Sequence, residues 1–219
     1  MDNSFLHRYF LNNPHKRLHK WLHYFDIYET HFARFRGKSP VIVEIGVMGG
    51  GSLEMWKEYF GSGSRVIGID INPACKAHES EGIEVFIGSQ DDPTLIDAIF
   101  AKYPHVDIVL DDGSHIMHHM IDTFNLMYDR LQPKGVYMVE DTHTCYWHEF
   151  GGGLHQEGSF MEFAKQKLDE INAAHSRGAL PVNNFTRSTA SVTCYDSVVV
   201  FERRPQGHRQ APTTHAMNF

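Results

Sequence analysis

The stretch VEIGVMGGGS, residues 43–52, reads as the end of a strand, a glycine turn and the start of a helix. Val41, Ile42, Val43 and Ile45 favour extended backbone. The glycines accept the turn, and Ser52 is the candidate N-cap of a helix running to Tyr59. A strand, glycine loop and helix in that order aim free backbone N–H groups at a ligand beyond the carboxyl edge of a sheet. Two common phosphate-binding loops do not match. Counting from Gly46, Met48 stands where a dinucleotide fingerprint needs its second glycine, so NAD and FAD are disfavoured, and no G-K-[ST] follows for a P-loop.

Working outward, the same strand–helix alternation recurs. Val41–Gly46, Arg65–Asp70, Ile83–Gly88, Val106–Asp112 and Gly135–Asp141 are short apolar runs rich in Val and Ile that end in polar residues. Helical stretches are expected at Thr94–Tyr103, His118–Leu131 and Gly158–His175. Ser191–Tyr195 and Ser197–Arg203 read as a closing hairpin turning at Asp196, and Pro14–Arg36 as one long aromatic helix across the sheet edge. The expected fold is therefore α/β and Rossmann-like. It has a mostly parallel seven-stranded sheet, a C-terminal antiparallel hairpin and an N-terminal helical segment over residues 1–38. Residues 1–204 read as a single domain and 205–219 as a flexible tail.

Composition narrows the function. A chain of 219 residues suits one α/β domain. Twenty Lys and Arg against 27 Asp and Glu give −7, with no basic face for reading phosphates, so nucleic acid is not the expected partner. No apolar run approaches the ~18 residues of a membrane span, and the N-terminus lacks the features of a signal peptide, so a cytoplasmic location is expected. Cys75, Cys145 and Cys194 are isolated, which argues against a disulfide framework or a thiolate zinc site.

The strand ends carry the chemistry. Glu44 beside the glycine loop suits a cationic ligand better than a phosphate, and Asp70 at the next strand end is placed to accept ribose hydroxyls. Ser89 and Gln90 follow the third strand, in reach of an adenine edge. S-adenosylmethionine (SAM) meets all three conditions. The fourth strand ends in Asp111-Asp112-Gly113-Ser114-His115 and the fifth in Glu140-Asp141. Strands one, four and five of a doubly wound sheet are neighbours, so Asp112, Glu140 and Asp141 are expected to converge. Three converging carboxylates call for a cation, and all-oxygen ligation suggests Mg²⁺ or Mn²⁺. Such an ion would activate a hydroxyl whose proton His115 removes.

Other readings stay open. His115, His143 and Asp141 form a candidate two-His, one-carboxylate iron site, which implies an oxygenase. A catechol-type acceptor chelates a metal as a sugar diol does, and a non-catalytic SAM binder would use the same loop. His143, Tyr146 and Trp147 are candidate substrate contacts, and Gly151–Gly153 a candidate hinge for a lid. His118 and His119 read as helix-start residues, at least one of them solvated, and Tyr24 and Tyr28 as core.

The segments VEIGVMGGGSLEMW, IGID, IVLDDGSH and VEDTHTCYW together resemble the metal-dependent sugar O-methyltransferases of macrolide biosynthesis, the mycinamicin and macrocin type. HYFDIYETHF and CYDSVVVFER resemble flanking segments of that family. The resemblance implies a class I methyltransferase fold with SAM and Mg²⁺ and a glycosylated small-molecule acceptor. It does not fix the oligomeric arrangement, and a homo-oligomer is one possibility. It places Asp112, Glu140 and Asp141 at the metal and His115 as the base. Glu44, Gly46, Ser52, Asp70 and Asp111 fall on cofactor-binding positions, with Ser89 and Gln90 toward adenine. Proteins of this kind also include cephalosporin hydroxylase-like chains.

Overall fold

Five parallel strands, β1 (Val41–Ile45), β2 (Arg65–Asp70), β3 (Ile83–Ile87), β4 (Ile108–Asp111) and β5 (Val136–Val139), are joined by an antiparallel hairpin of β6 (Thr189–Tyr195) and β7 (Val198–Arg203). In the computed structural model, which describes residues 4–13, 15–207 and 209–214, the strand order is β3-β2-β1-β4-β5-β7-β6. The α/β, mostly parallel seven-stranded sheet with its C-terminal hairpin is thus as expected.

Alternation along the strands builds two cores. Ile42, Val66, Ile108, Leu110, Val136, Met138, Val198 and Val200 point to one face, under α1 (Phe5–Asn12), α2 (Tyr24–Phe32) and α3 (Gly51–Phe60). Val43, Ile67, Val109, Tyr137, Val139, Val199 and Phe201 point to the other, under α4 (Pro93–Lys102), α5 (Met117–Met127), α6 (Phe160–Ile171) and α7 (Asn184–Ser188). With both faces covered, the strands are nearly all apolar. No helix among the described residues is long and apolar enough to cross a membrane.

Register places the site. Ile45 pairs with Ile69 and Asp111, and Asp111 with Val139. The ladder continues one residue further: Gly46 donates to Ile69 (2.8 Å), Asp112 to Ile45 (3.0 Å) and Glu140 to Asp111 (2.9 Å). Gly46, Asp112 and Glu140 therefore end level, where the strand order reverses between β1 and β4.

Three local expectations change. The expected helix over Pro14–Arg36 is a shorter one: α2 starts at Tyr24 and ends in a 3-10 turn at Ala33–Phe35, while Pro14 lies outside the described residues. The residues before α2 run as a strap across the glycine loop, with the Arg17 carbonyl accepting the Gly51 N–H at 3.3 Å. A Cβ on Gly51 would lie 2.6 Å from that carbonyl oxygen, so the loop is glycine-rich because the strap passes over it. Only the His31 end of α2 reaches the sheet edge, at Glu202 (2.7 Å) and Tyr195 (3.0 Å) of the hairpin, and the rest lies over the sheet face. Phe25, Tyr28 and Phe32 are buried with Trp56 of α3 in the core over the face. Gly50, not Ser52, occupies the cap position of α3, because the Ser52 hydroxyl donates instead to Glu44 Oε2 at 2.8 Å. The expected flexible tail over 205–219 lies partly outside the described residues, at 208 and 215–219.

Candidate active site

Beyond the tips of β1, β4 and β5 opens a cleft of about 520 Å³, lined by Gly46, Met48, Ser52, Asp70, Asp112, His115, Glu140 and Asp141 together with Arg17–Trp21 of the strap and Tyr24. A smaller cavity of about 180 Å³ adjoins it and shares Gly46, Asp70 and Gly113. Its walls are Ile45, Ile69, Ile71, Gly88, Ser89, Gln90, Ser114 and His119. The two form a polar chamber beside an apolar one at the switch point of the sheet, the usual place for a ligand in this architecture.

The backbone at the rim is unusual. Met48 (φ 47°), His115 (φ 58°) and Asp141 (φ 50°) are non-glycine residues in the left-handed region, one after each of β1, β4 and β5. Such conformations cost free energy and cluster where geometry serves function. The hydrogen bonds explain two of them. Asp70 Oδ2 accepts from Val47 N (2.9 Å) and Met48 N (3.1 Å), which holds the glycine loop in place. The Tyr24 hydroxyl donates to Asp141 Oδ1 at 2.7 Å and accepts the Asp141 N–H at 3.3 Å.

The acids do converge, but a side chain meets them. Lys20 places its ammonium 2.7 Å from Asp112 Oδ2, 2.8 Å from Glu140 Oε2 and 3.6 Å from Glu44 Oε1. Its side chain is 3% exposed, and Glu44 and Glu140 are buried with it. Tyr28 donates its hydroxyl to the other Glu140 oxygen. Burial, only partly offset by Lys20, pushes the Glu140 carboxyl up to about 8. Burial likewise raises Glu44, against Lys20 and the Ser52 hydroxyl, and Glu44 Oε1 accepts no hydrogen bond.

All three expected metal ligands line the cleft, but Asp112 and Asp141 each give one oxygen to a protein donor and keep the other, whereas Glu140 gives both, to Lys20 and Tyr28. Asp112, His115 and Asp141 each offer one ligand atom, and these atoms lie within 4.8 Å of one another. His115 Nε2 is 4.0 Å from Asp112 Oδ1 and 3.7 Å from Asp141 Oδ2. Two carboxylate oxygens free on the cleft side, flanked by an imidazole, fit a hard divalent cation that keeps positions for substrate or water. The expected iron triad is not assembled: His143 Nδ1 comes to 4.0 Å from Asp141 Oδ1, the oxygen Tyr24 already occupies, but His143 does not join the group, and its ring packs edge-on against Trp147 (4.9 Å) and Trp21 (6.0 Å).

The remaining candidates divide. Asp70 lies in both cavity walls, and three backbone N–H bonds hold its carboxyl below the ordinary carboxylate range although burial opposes them. Ser89 and Gln90 line the smaller cavity. Glu44 lines neither cavity, and nor does Asp111. It is buried, where it accepts from Gln90 Nε2 (3.1 Å) and the Gly113 N–H (3.3 Å), so it supports the loop from beneath. Tyr146 and Trp147 are about half exposed beyond β5 and line neither cavity; Trp147 and the exposed Trp21 both pack on the His143 ring. The N–H groups of Gly151, Gly152 and Gly153 bond back to His148, Trp147 and Cys145 at 2.8–3.0 Å, so these glycines form a closed turn rather than an open hinge. The residues missed from sequence are Lys20, Ile71, Ser114 and His119, together with the hydroxyl roles of Tyr24 and Tyr28. The available signal is the set of converging acids, which requires a counter-charge; from sequence that charge is expected of a metal ion, and here Lys20 supplies one.

No protein-family model matches the chain. It is 36% identical over 202 residues to 8-demethyl-8-alpha-L-rhamnosyl tetracenomycin-C 2'-O-methyltransferase of Streptomyces olivaceus, covering 86% of this chain and 53% of that protein. It is 37% identical over 163 residues to mycinamicin VI 2''-O-methyltransferase of Micromonospora griseorubida, covering 69% of this chain and 40% of that protein. Among solved structures it superposes on the MycE methyltransferase of the mycinamycin biosynthetic pathway, determined with Mg, S-adenosylhomocysteine (SAH) and mycinamycin VI. There the TM-score is 0.80 at 31% identity, over 97% of this chain and 55% of that one. The fold is that of the class I methyltransferases. The chain spans about half the length of the curated relatives it matches.

Proposed function

The chain is homologous to sugar O-methyltransferases of macrolide and tetracenomycin pathways, and from that relationship we propose that it transfers the methyl group of SAM to a hydroxyl of a sugar or sugar-bearing natural product, with Mg²⁺ as its ion. Residues 1–204 are the methyltransferase unit in this reading. The observation that carries it is the grouping of Asp112, His115 and Asp141 on one wall of a cleft whose other wall is the glycine loop.

The smaller, apolar cavity takes the adenine, with Ser89 and Gln90 at its polar edge and Ile71 against a ring face. Asp70, anionic because backbone N–H groups hold it so, accepts from the ribose at its free lone pairs. Gly46 and Ser52 line the methionine end, and Glu44 stands behind them, its Oε2 accepting the Ser52 hydroxyl. Asp111 serves this site indirectly, by fixing Gln90.

Asp112 and Asp141 would hold Mg²⁺, with Glu140 as the further acid of the set, and the ion would lower the pKa of the acceptor hydroxyl. His115 takes the hydroxyl proton at Nε2, and Asp141, 3.7 Å away, stabilises the imidazolium that results. The acceptor oxygen bonds to the methyl carbon as the carbon–sulfur bond breaks, its electrons going to sulfur to leave SAH. Placing both reactants in one cleft supplies most of the barrier reduction. Trp21, Tyr146 and Trp147 stack on the acceptor at the rim. A chain of charge −7 suits such a small-molecule partner better than nucleic acid.

The test is metal removal. EDTA is expected to abolish methyl transfer to a glycosylated acceptor and Mg²⁺ to restore it, while Asp112→Ala loses activity and keeps its circular dichroism spectrum. Full transfer by rigorously metal-free protein would falsify the reading.

A further inference from the structure

Lys20 brings a positive charge among the buried acids of the cleft from a segment outside regular structure, held otherwise by Leu18 packed on the core and by the Asn13 side chain donating to the Lys16 carbonyl at 2.7 Å. The described strap residues before α2 form no helix or strand; they pack closely over Gly49 and Gly51 and take one backbone hydrogen bond from the glycine loop, Gly51 to Arg17. Lys16 adds an ion pair to Glu54 at 2.7 Å, on the surface, where such pairs contribute little. The buried polar attachment of the strap is the Lys20 ammonium, shared between Asp112 and Glu140.

That attachment uses the oxygens a metal site needs. Asp112 gives Oδ2 to Lys20 and leaves Oδ1 toward His115, and Glu140 gives one oxygen to Lys20 and the other to Tyr28. An ammonium and a divalent cation on opposite oxygens of one carboxylate repel each other, and burial screens that repulsion poorly. Glu44, Asp112 and Glu140 surround one ammonium, and Glu44 Oε1 has it only at 3.6 Å, without a hydrogen bond.

We propose that Lys20 is a tethered competitor for the divalent ion: it holds Asp112 and Glu140 in the metal-free protein, and ion binding displaces its ammonium from Glu140 and loosens the strap that walls the cleft. This rests on the metal reading above. Release of Glu140 completes the three-acid set, so metal loading and opening of the strap become one event. The strap carries its own reporter, because Trp21 adjoins Lys20 and packs edge-on to His143 at 6.0 Å.

Calorimetric titration of the whole chain with Mg²⁺ tests the proposal, comparing wild type with Lys20→Met and Lys20→Gln. Both variants are expected to bind at least tenfold more tightly and to gain more thermal stability from the ion than wild type does. Equal or weaker binding by a folded variant, where wild type binds, overturns the competition and leaves the metal reading standing. Absence of Mg²⁺ binding by every protein overturns both. Should neither variant fold, wild-type fluorescence decides, with Trp21→Phe identifying the Trp21 contribution. A change in Trp21 emission on adding Mg²⁺ supports displacement, and bound Mg²⁺ with unchanged Trp21 emission refutes it.

Discussion

Gly46→Ala probes the contact that sets the two central strand tips side by side. Gly46 has φ of 92°, and a Cβ there would sit 2.1 Å from the carbonyl oxygen of Asp112 and 2.9 Å from its carbonyl carbon. Real Cβ atoms essentially never approach closer than 3.0 Å, so the tips of β1 and β4 must part by roughly 0.9 Å. The left-handed conformation costs an alanine about 1–2 kcal/mol and the overpacking about 1–3 kcal/mol, so a loss of roughly 2–5 kcal/mol is expected. Asp112 moves with its carbonyl, and a displacement of ~1 Å at a positioning group costs about 100-fold in rate. Gly61→Ala supplies the control. Gly61 has φ of 96° and ψ of 169°, a conformation nearly confined to glycine, but nothing within 4 Å of its Cβ position, so only a backbone cost of about 1–3 kcal/mol applies. Urea denaturation followed by circular dichroism and initial methyl-transfer rates separate the two. If Gly46→Ala matches Gly61→Ala in both stability and rate, the contact with Asp112 does not organise the site.

Three further outcomes are expected. His115→Gln should lower kcat by about 10²–10⁴-fold while SAH affinity changes less than about threefold, and retained kcat would remove His115 as the base. Burial holds the Asp111 carboxyl up at about 7, against N–H bonds from Gly113 and Gln90, so the folded protein keeps a proton that the unfolded chain releases from about pH 4 upward. Wild-type stability should therefore decline between about pH 4 and 7 relative to Asp111→Asn, by about 3–4 kcal/mol at ~1.4 kcal/mol per unit; parallel urea-melt stabilities for the two across that range would contradict the assignment. Trp147→Ala, on the exposed rim, should raise KM for the glycosylated acceptor about 5–10-fold with SAM parameters unchanged, as loss of one stacking contact implies. An unchanged acceptor KM would move the acceptor elsewhere.

Much of the fold was legible in the chain because its signals are local. Val41–Ile45 and Arg65–Asp70 are β-branched runs bounded by turn residues, and both strands form as read. The Asp196 turn lies between two alternating segments, and the hairpin closes there. Errors arose where a distant contact overrode a local preference. Ser52 is a good cap by residue type, yet its hydroxyl is taken by Glu44, eight residues earlier on β1. The aromatic run before Arg36 reads as continuous helix, yet its first part is drawn across the glycine loop. Asp111 and Asp112 are adjacent and alike in sequence. Strand alternation sends one beneath the loop and the other into the cleft.

The sequence by itself determined the layered sheet, the level strand tips and the convergence of acids there, since each follows from side-chain period and strand pairing. Only the tertiary structure decided how those acids are satisfied. Lys20 reaches Asp112 across 92 residues of chain and Glu140 across 120, and Tyr28 reaches Glu140 across 112. Nothing in local pattern encodes such pairings. They form because carboxylates buried together need a compensating charge and donors, and packing of α2 and its preceding strap over the sheet is what brings these three side chains within reach.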